Sequence, residues 1–217
     1  MKKNILCLSV ILALLIIGCS DKTKALEESI ITSGKIVTLS TITQDGMTGQ
    51  LKTETVFSGD KSRSITTVTS EMGQQEVIQL WIGKKIYNFA QNQPTGQTMS
   101  APENWKETMS AFGKNPQLLQ SADSLGIEDV AGMRCKVYQV DSPQEKAKLW
   151  IFDNPDFPVL LRSETLLPFE SKTITTEIAF NIEIPEESFA IPQGVEFQDV
   201  NWNQMMGQQP PQEQVEK

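Results

Sequence analysis

The sequence predicts a mainly β fold of the α+β kind: a curved antiparallel sheet preceded by a short helix, with two inserted helices covering its concave face. Three observations carry this reading. Residues 35–90 and 133–184 consist largely of period-2 segments rich in Val, Ile, Thr and aromatics, as in strands with one wet face. Asp45-Gly46, Ser58-Gly59-Asp60, Met72-Gly73 and Gly83-Lys84 punctuate the first of these stretches, the spacing of a run of hairpins. Between the two stretches, residues 100–126 change to helical spacing.

The chain opens with a basic "MKKN" and an almost unbroken apolar run, Ile5–Ile17. That run is too short to span a bilayer comfortably but suits the core of a secretory signal. It ends in Ile16-Ile17-Gly18-Cys19, which resembles a bacterial lipobox. The resemblance implies that residues 1–18 are a lipoprotein signal peptide. It also implies that Cys19 is acylated and that the lipid bilayer is a partner through that anchor. Each buried methylene contributes about 0.8 kcal/mol, so three acyl chains make a permanent attachment. Ser20, not aspartate, follows Cys19. By analogy with lipoprotein sorting this favours the outer membrane, facing the periplasm, or the cell surface if the host has one membrane. Residues 19–23 form a short tether.

The body is expected to be one domain over residues 24–200. Residues 24–33 read as a short helix with a thin apolar face at Ala25, Leu26, Ser29, Ile30 and Ser33, capped by Gly34. Strands follow to about residue 90, and "WIGKKIYNF" is the clearest hairpin because Gly83 can enter its two-residue turn at positive φ. Residues 91–99 read as a loop. Ser100 then resembles an N-cap, with Pro102 and Glu103 in the first turn, and Trp105, Met109 and Phe112 form one apolar stripe. "NPQLLQSADSLG" reads as a second short helix stopping at Gly126. "MRCKVYQVD", "AKLWIFD", "PVLLRSETL" and "KTITTEIAFNIEI" return to alternation, for roughly eight to eleven strands in all. In the last of these, Ile174, Thr176, Ile178, Phe180 and Ile182 share one face. Residues 201–217 are rich in Gln and Pro without periodicity and read as a disordered tail.

Composition excludes much chemistry. The formal net charge is −8 and deepens once Lys2 and Lys3 leave with the signal, which argues against nucleic acid as a partner. With no histidine in the chain, no Ser-His-Asp triad, Cys-His dyad or His-ligated metal site can form. Phosphate-loop and nucleophile-elbow patterns are absent, so the chain is expected to be no enzyme and to carry no cofactor. Asp153-Asn154-Pro155-Asp156 offers oxygen ligands but lacks the spacing of a calcium loop, and reads as a solvated turn. Cys7 leaves with the signal and Cys19 is acylated, so Cys135 has no thiol partner. It alternates with Met133 and Val137 on one strand face, as a small apolar residue would.

Three stretches resemble the periplasmic lipoprotein-carrier superfamily (LolA/LolB-like). They are "VAGMRCKVYQV", "AKLWIFDNPDFPVLLRSE" and the closing "FNIEIPEESFAIPQGVEFQD", with its Ile-Pro step, Phe and Pro-x-Gly. The resemblance implies an open, strongly curved half-barrel whose helices lid an apolar cavity for acyl chains or another hydrophobic ligand. A tethered chain cannot shuttle cargo, so the implied role narrows to a membrane-bound receptor or binding protein. Candidate ligand-lining residues are Trp81, Tyr87, Trp105, Met109, Phe112, Trp150, Ile174, Ile178 and Phe180. The alternative is a non-enzymatic structural or regulatory protein that contacts an envelope protein partner through its sheet edge or outer face.

Overall fold

The computed structural model describes residues 30–44, 46–70, 73–100, 122–143, 145–167 and 169–200. These form twelve strands and one short 3-10 turn, with no α-helix among the described residues. The strands are β1 (Ser33–Gln44), β2 (Met47–Ser58), β3 (Lys61–Ser70), β4 (Gly73–Ile82), β5 (Lys85–Ala90) and β6 (Thr95–Ser100). They continue as β7 (Asp123–Val130), β8 (Met133–Asp141), β9 (Lys146–Phe152), β10 (Leu160–Leu167), β11 (Glu170–Phe180) and β12 (Glu196–Asp199). The 3-10 turn is Glu186–Phe189.

The chain divides into two compact units, Met1–Ile31 with Ser110–Thr175 and Thr32–Met109 with Thr176–Lys217. In the first, strands are hydrogen-bonded in the order β11-β10-β9-β8-β7. In the second, the order is β12-β6-β5-β4-β3-β2-β1-β11. Residues 170–175 of β11 count with the first unit and 176–180 with the second. The described pairings are antiparallel except β12 on β6, which is parallel. Among the described residues, β7 and β12 each have a single strand neighbour.

The hairpins lie where the turn signals place them. Ile82 pairs with Lys85 around Gly83, whose φ is 56°, and Ser58 pairs with Lys61 around Gly59-Asp60. The helices are corrected. Residues 30–33 are not helical, because Ser33 begins a β1 that pairs with β2 along its whole length. Asn181 N–H also donates to Ser33 O (2.8 Å), and Ser33 Oγ donates to Ile182 O (2.6 Å). The expected second inserted helix ends in strand: Asp123–Val130 is β7, and Gly126 (φ 112°) sits in a β-bulge opposite β8 rather than in a helix cap. Ser100 ends β6. Residues 24–29, 101–121 and 201–217 lie outside the described residues, and with them the rest of the expected helices and the tail.

The 91–99 stretch is also corrected, since Thr95–Ser100 is β6. Its polar sequence hides a strand because Gly96 makes room for an aromatic ring: a Cβ there would lie 2.7 Å from Phe197 Cε1. The 153–156 turn is held from within. Asn154, only 2% exposed, accepts the backbone N–H groups of Asp156 (2.9 Å) and Phe157 (2.8 Å) on its Oδ1, so this side chain is not solvated.

The first unit's core gathers Cys135, Val137, Val140, Trp150, Ile151, Phe152 and Leu161. The second's includes Val37, Phe57, Leu80, Ile86, Met99, Phe180 and Phe189. Burying each Val, Leu, Ile, Phe or Met side chain among these contributes about 1.5–3 kcal/mol.

Candidate functional site

Strand register places the site. Arg63 on β3 stands beside Leu80 on β4, and Ile78 on β4 beside Phe89 on β5. Period-2 alternation puts all four on one face of the second unit. After β11 the chain leaves the sheet at Asn181, whose φ of 53° ends the strand. It then returns across that face: Phe189 is buried, and the Glu186–Phe189 turn packs against β3 and β4. Glu186 pairs with Lys61. Farther along, Glu196 N–H donates to Pro94 O (2.8 Å) and starts β12.

Sheet face, returning segment and the β5–β6 turn border a cavity of about 530 Å³ that is open to solvent on one side. Ile78, Leu80 and Phe89 form its floor. Ala190, Pro192 and Val195 lie on the facing wall, while Gln91, Asn92, Gln93 and Gln193 supply a polar rim. The volume falls within the range of small-molecule sites, roughly 300–1,000 Å³. Arg63 is half-buried at its edge, and its side chain has no ion pair or hydrogen bond with any described residue.

The sequence-predicted residues lie elsewhere. Trp81 packs with Ile86 and Met99 on the opposite face of the sheet, and its Nε1 donates to Gln79 Oε1 (2.8 Å). Tyr87 meets Phe197 edge-on, with centroids 5.2 Å apart. Phe180 is buried 6.4 Å from Phe57, and Ile178 is half-buried. At one step of β11 the expected alternation inverts: Ile174 is 38% exposed and Thr175 only 3%. Trp150 belongs to the first unit, where Lys148 Nζ and Arg162 Cζ sit over its ring at 4.5 and 4.2 Å. Cys19, Trp105, Met109 and Phe112 lie outside the described residues. Floor residues Ile78, Leu80 and Phe89, and Arg63 at the edge, are not among the sequence-predicted residues. The available signal is that Arg63 shares a strand face with Ile78, Leu80 and Phe89.

Two groups have informative titration. Burial pushes the Cys135 thiol up to about 12, so the thiolate that nucleophilic or redox chemistry requires is absent near neutrality. Hydrogen bonding by Trp150, then by Lys148, holds the Glu128 carboxyl below its usual range. Among the described residues, no cluster of three or more His, Cys, Asp or Glu side chains is placed to hold a metal ion.

No protein-family model matches the chain, and no curated protein matches it. Among solved structures, it is similar to an uncharacterized conserved protein from Thermus thermophilus. The identity is 9%, the match covers 85% of this chain and 99% of that one, and the TM-score is 0.51, a likeness of fold alone. A LolA superfamily protein from Nitrosomonas europaea matches at 12% identity over 80% of this chain and 96% of its own, with a TM-score of 0.36. The Mycobacterium tuberculosis lipoprotein LppX matches at 16% identity over 78% and 94%, with a TM-score of 0.38.

Proposed function

We propose that the protein is a bacterial envelope lipoprotein, anchored through acyl chains on Cys19, that holds an amphiphilic or hydrophobic ligand without transforming it. One observation carries the binding part: the cavity of about 530 Å³ with a floor of Ile78, Leu80 and Phe89. Apolar floor and polar rim match a ligand whose chain is buried and whose head stays at the mouth. The lipobox supports the anchor, and the buried thiol and absent histidine support a binding role over a catalytic one.

Filling the cavity tests this. Ala190 lines it and is exposed, so Ala190→Trp places an indole in the binding space with little threat to folding. The full chain is expected to bind a dansyl-labelled fatty acid saturably, and Ala190→Trp to weaken that binding by about tenfold or more, equivalent to about 1.4 kcal/mol. Absence of saturable binding, or binding unchanged in the variant, would contradict the proposal.

A further inference from the structure

We infer that the ligand carries a single anionic head group, and that Arg63 is the side chain that recognises it. The inference rests on the cavity being the binding site and adds the chemical class of what enters it.

The second unit handles its two neighbouring cations differently. Lys61 and Arg63 alternate onto the same face of β3. Lys61 is neutralised by Glu186, yet Arg63, two residues on, has no carboxylate or other acceptor among the described residues while lining the cavity. A half-buried guanidinium has given up part of its hydration, and five N–H donors need acceptors. Lys35, also on that sheet, has two carboxylates, Glu54 (3.7 Å) and Glu177 (3.2 Å). Acceptors are therefore supplied to the half-buried Lys35 and Lys61 and not to the half-buried Arg63; Lys52, Lys84 and Lys85, which also form no ion pair with a described residue, are exposed.

Position adds to this. Arg63 pairs in register with Leu80, so its charge stands beside the apolar floor. A chain lying over Ile78, Leu80 and Phe89 would bring its head to the guanidinium, whose planar fork binds a carboxylate or phosphate bidentately. Glu187 is the acidic side chain on the cavity lining. It is exposed on the facing wall and forms no ion pair with Arg63, so water screens it. A neutral amphiphile would fill the floor equally well but leave the guanidinium unsatisfied.

Isothermal titration of the full chain with decanoate and with decanol, which share the alkyl chain and differ in the head, separates the possibilities. Hydrogen bonds to charged groups contribute about 1.5–3 kcal/mol, so decanoate is expected to bind about tenfold or more tighter than decanol. Arg63→Gln should abolish that preference, bringing the two affinities within about twofold of each other, and Arg63→Lys should restore part of it. Equal affinity for the two probes in the unaltered chain would overturn the role of Arg63 and leave the cavity as the binding site. So would a preference that survives in Arg63→Gln. Binding of neither probe would overturn both readings. Circular dichroism and Arg63→Lys together separate lost recognition from lost folding.

Discussion

Trp150→Ala is expected to cost about 3–5 kcal/mol, the range for removing a large aromatic from a core. Trp150 is 1% exposed at the centre of the first unit, in register between Val137 on β8 and Arg162 on β10. Its loss opens a cavity that flanking strands cannot fill without breaking their pairing. It also strips the ring from beneath Lys148 and Arg162 and the indole donor from Glu128 Oε2, 2.7 Å away. Trp150→Phe should cost markedly less, because it keeps most of the buried surface and the cation contacts while losing the hydrogen bond. Hydrogen exchange at β8 and β9 amides, with urea unfolding, reads both variants. A cost below about 1 kcal/mol for Trp150→Ala would contradict this packing.

The Glu128 contact adds a pH signature. Its carboxyl is held low in the folded protein, so the contribution is present above the unfolded carboxylate pKa and fades as pH falls through the lower folded value. Trp150→Phe removes the leading cause of that shift, so its stability should decline less on acidification than that of the unaltered chain.

Gly34→Ala is expected to destabilise the second unit by about 1–3 kcal/mol, the usual cost of forcing extra volume into a packed site. A Cβ at residue 34 would lie 2.7 Å from the backbone oxygen of Ala179 and 2.8 Å from Phe57 Cζ. A side chain can rotate aside; a carbonyl in a strand cannot. Phe57→Leu should therefore fail to restore the stability lost in Gly34→Ala. Full rescue by the double substitution, measured by urea unfolding, would show that the ring rather than the backbone sets the limit.

The hairpins were legible because two local signals coincide there: alternation fixes the strand, and a glycine at positive φ fixes the turn, as at Gly83. Where glycine stood alone it was ambiguous. Gly34 suited a helix cap and Gly126 a helix stop, yet the first permits close approach of backbone and the second a bulge. Only long-range pairing distinguishes these uses. Strand β6 was hidden because its Gly and polar residues are accommodated by Phe197 and β12, which lie about a hundred residues farther along the chain.

The site was less legible than the fold. Trp81 and Leu80 are adjacent in sequence, and one residue step moves a side chain to the other face of a sheet. Trp81 therefore faces away from the cavity, whereas Tyr87, in register with Leu80, shares the cavity's sheet face and packs on Phe197. The facing wall, residues 187–195, has no period because it is neither helix nor strand along most of its length, and nothing local in "ESFAIPQGV" announces that it folds back over β3 and β4.

The central claim is that an amphiphile lies on the floor of this cavity with its head at Arg63. A crystal structure of the full chain with ω-bromodecanoate tests it most directly, because anomalous scattering locates the bromine without reference to the protein. The bromine is expected against Ile78, Leu80 and Phe89, with the carboxylate at the Arg63 guanidinium. A cavity without bromine in crystals that hold it elsewhere on the protein would contradict the claim.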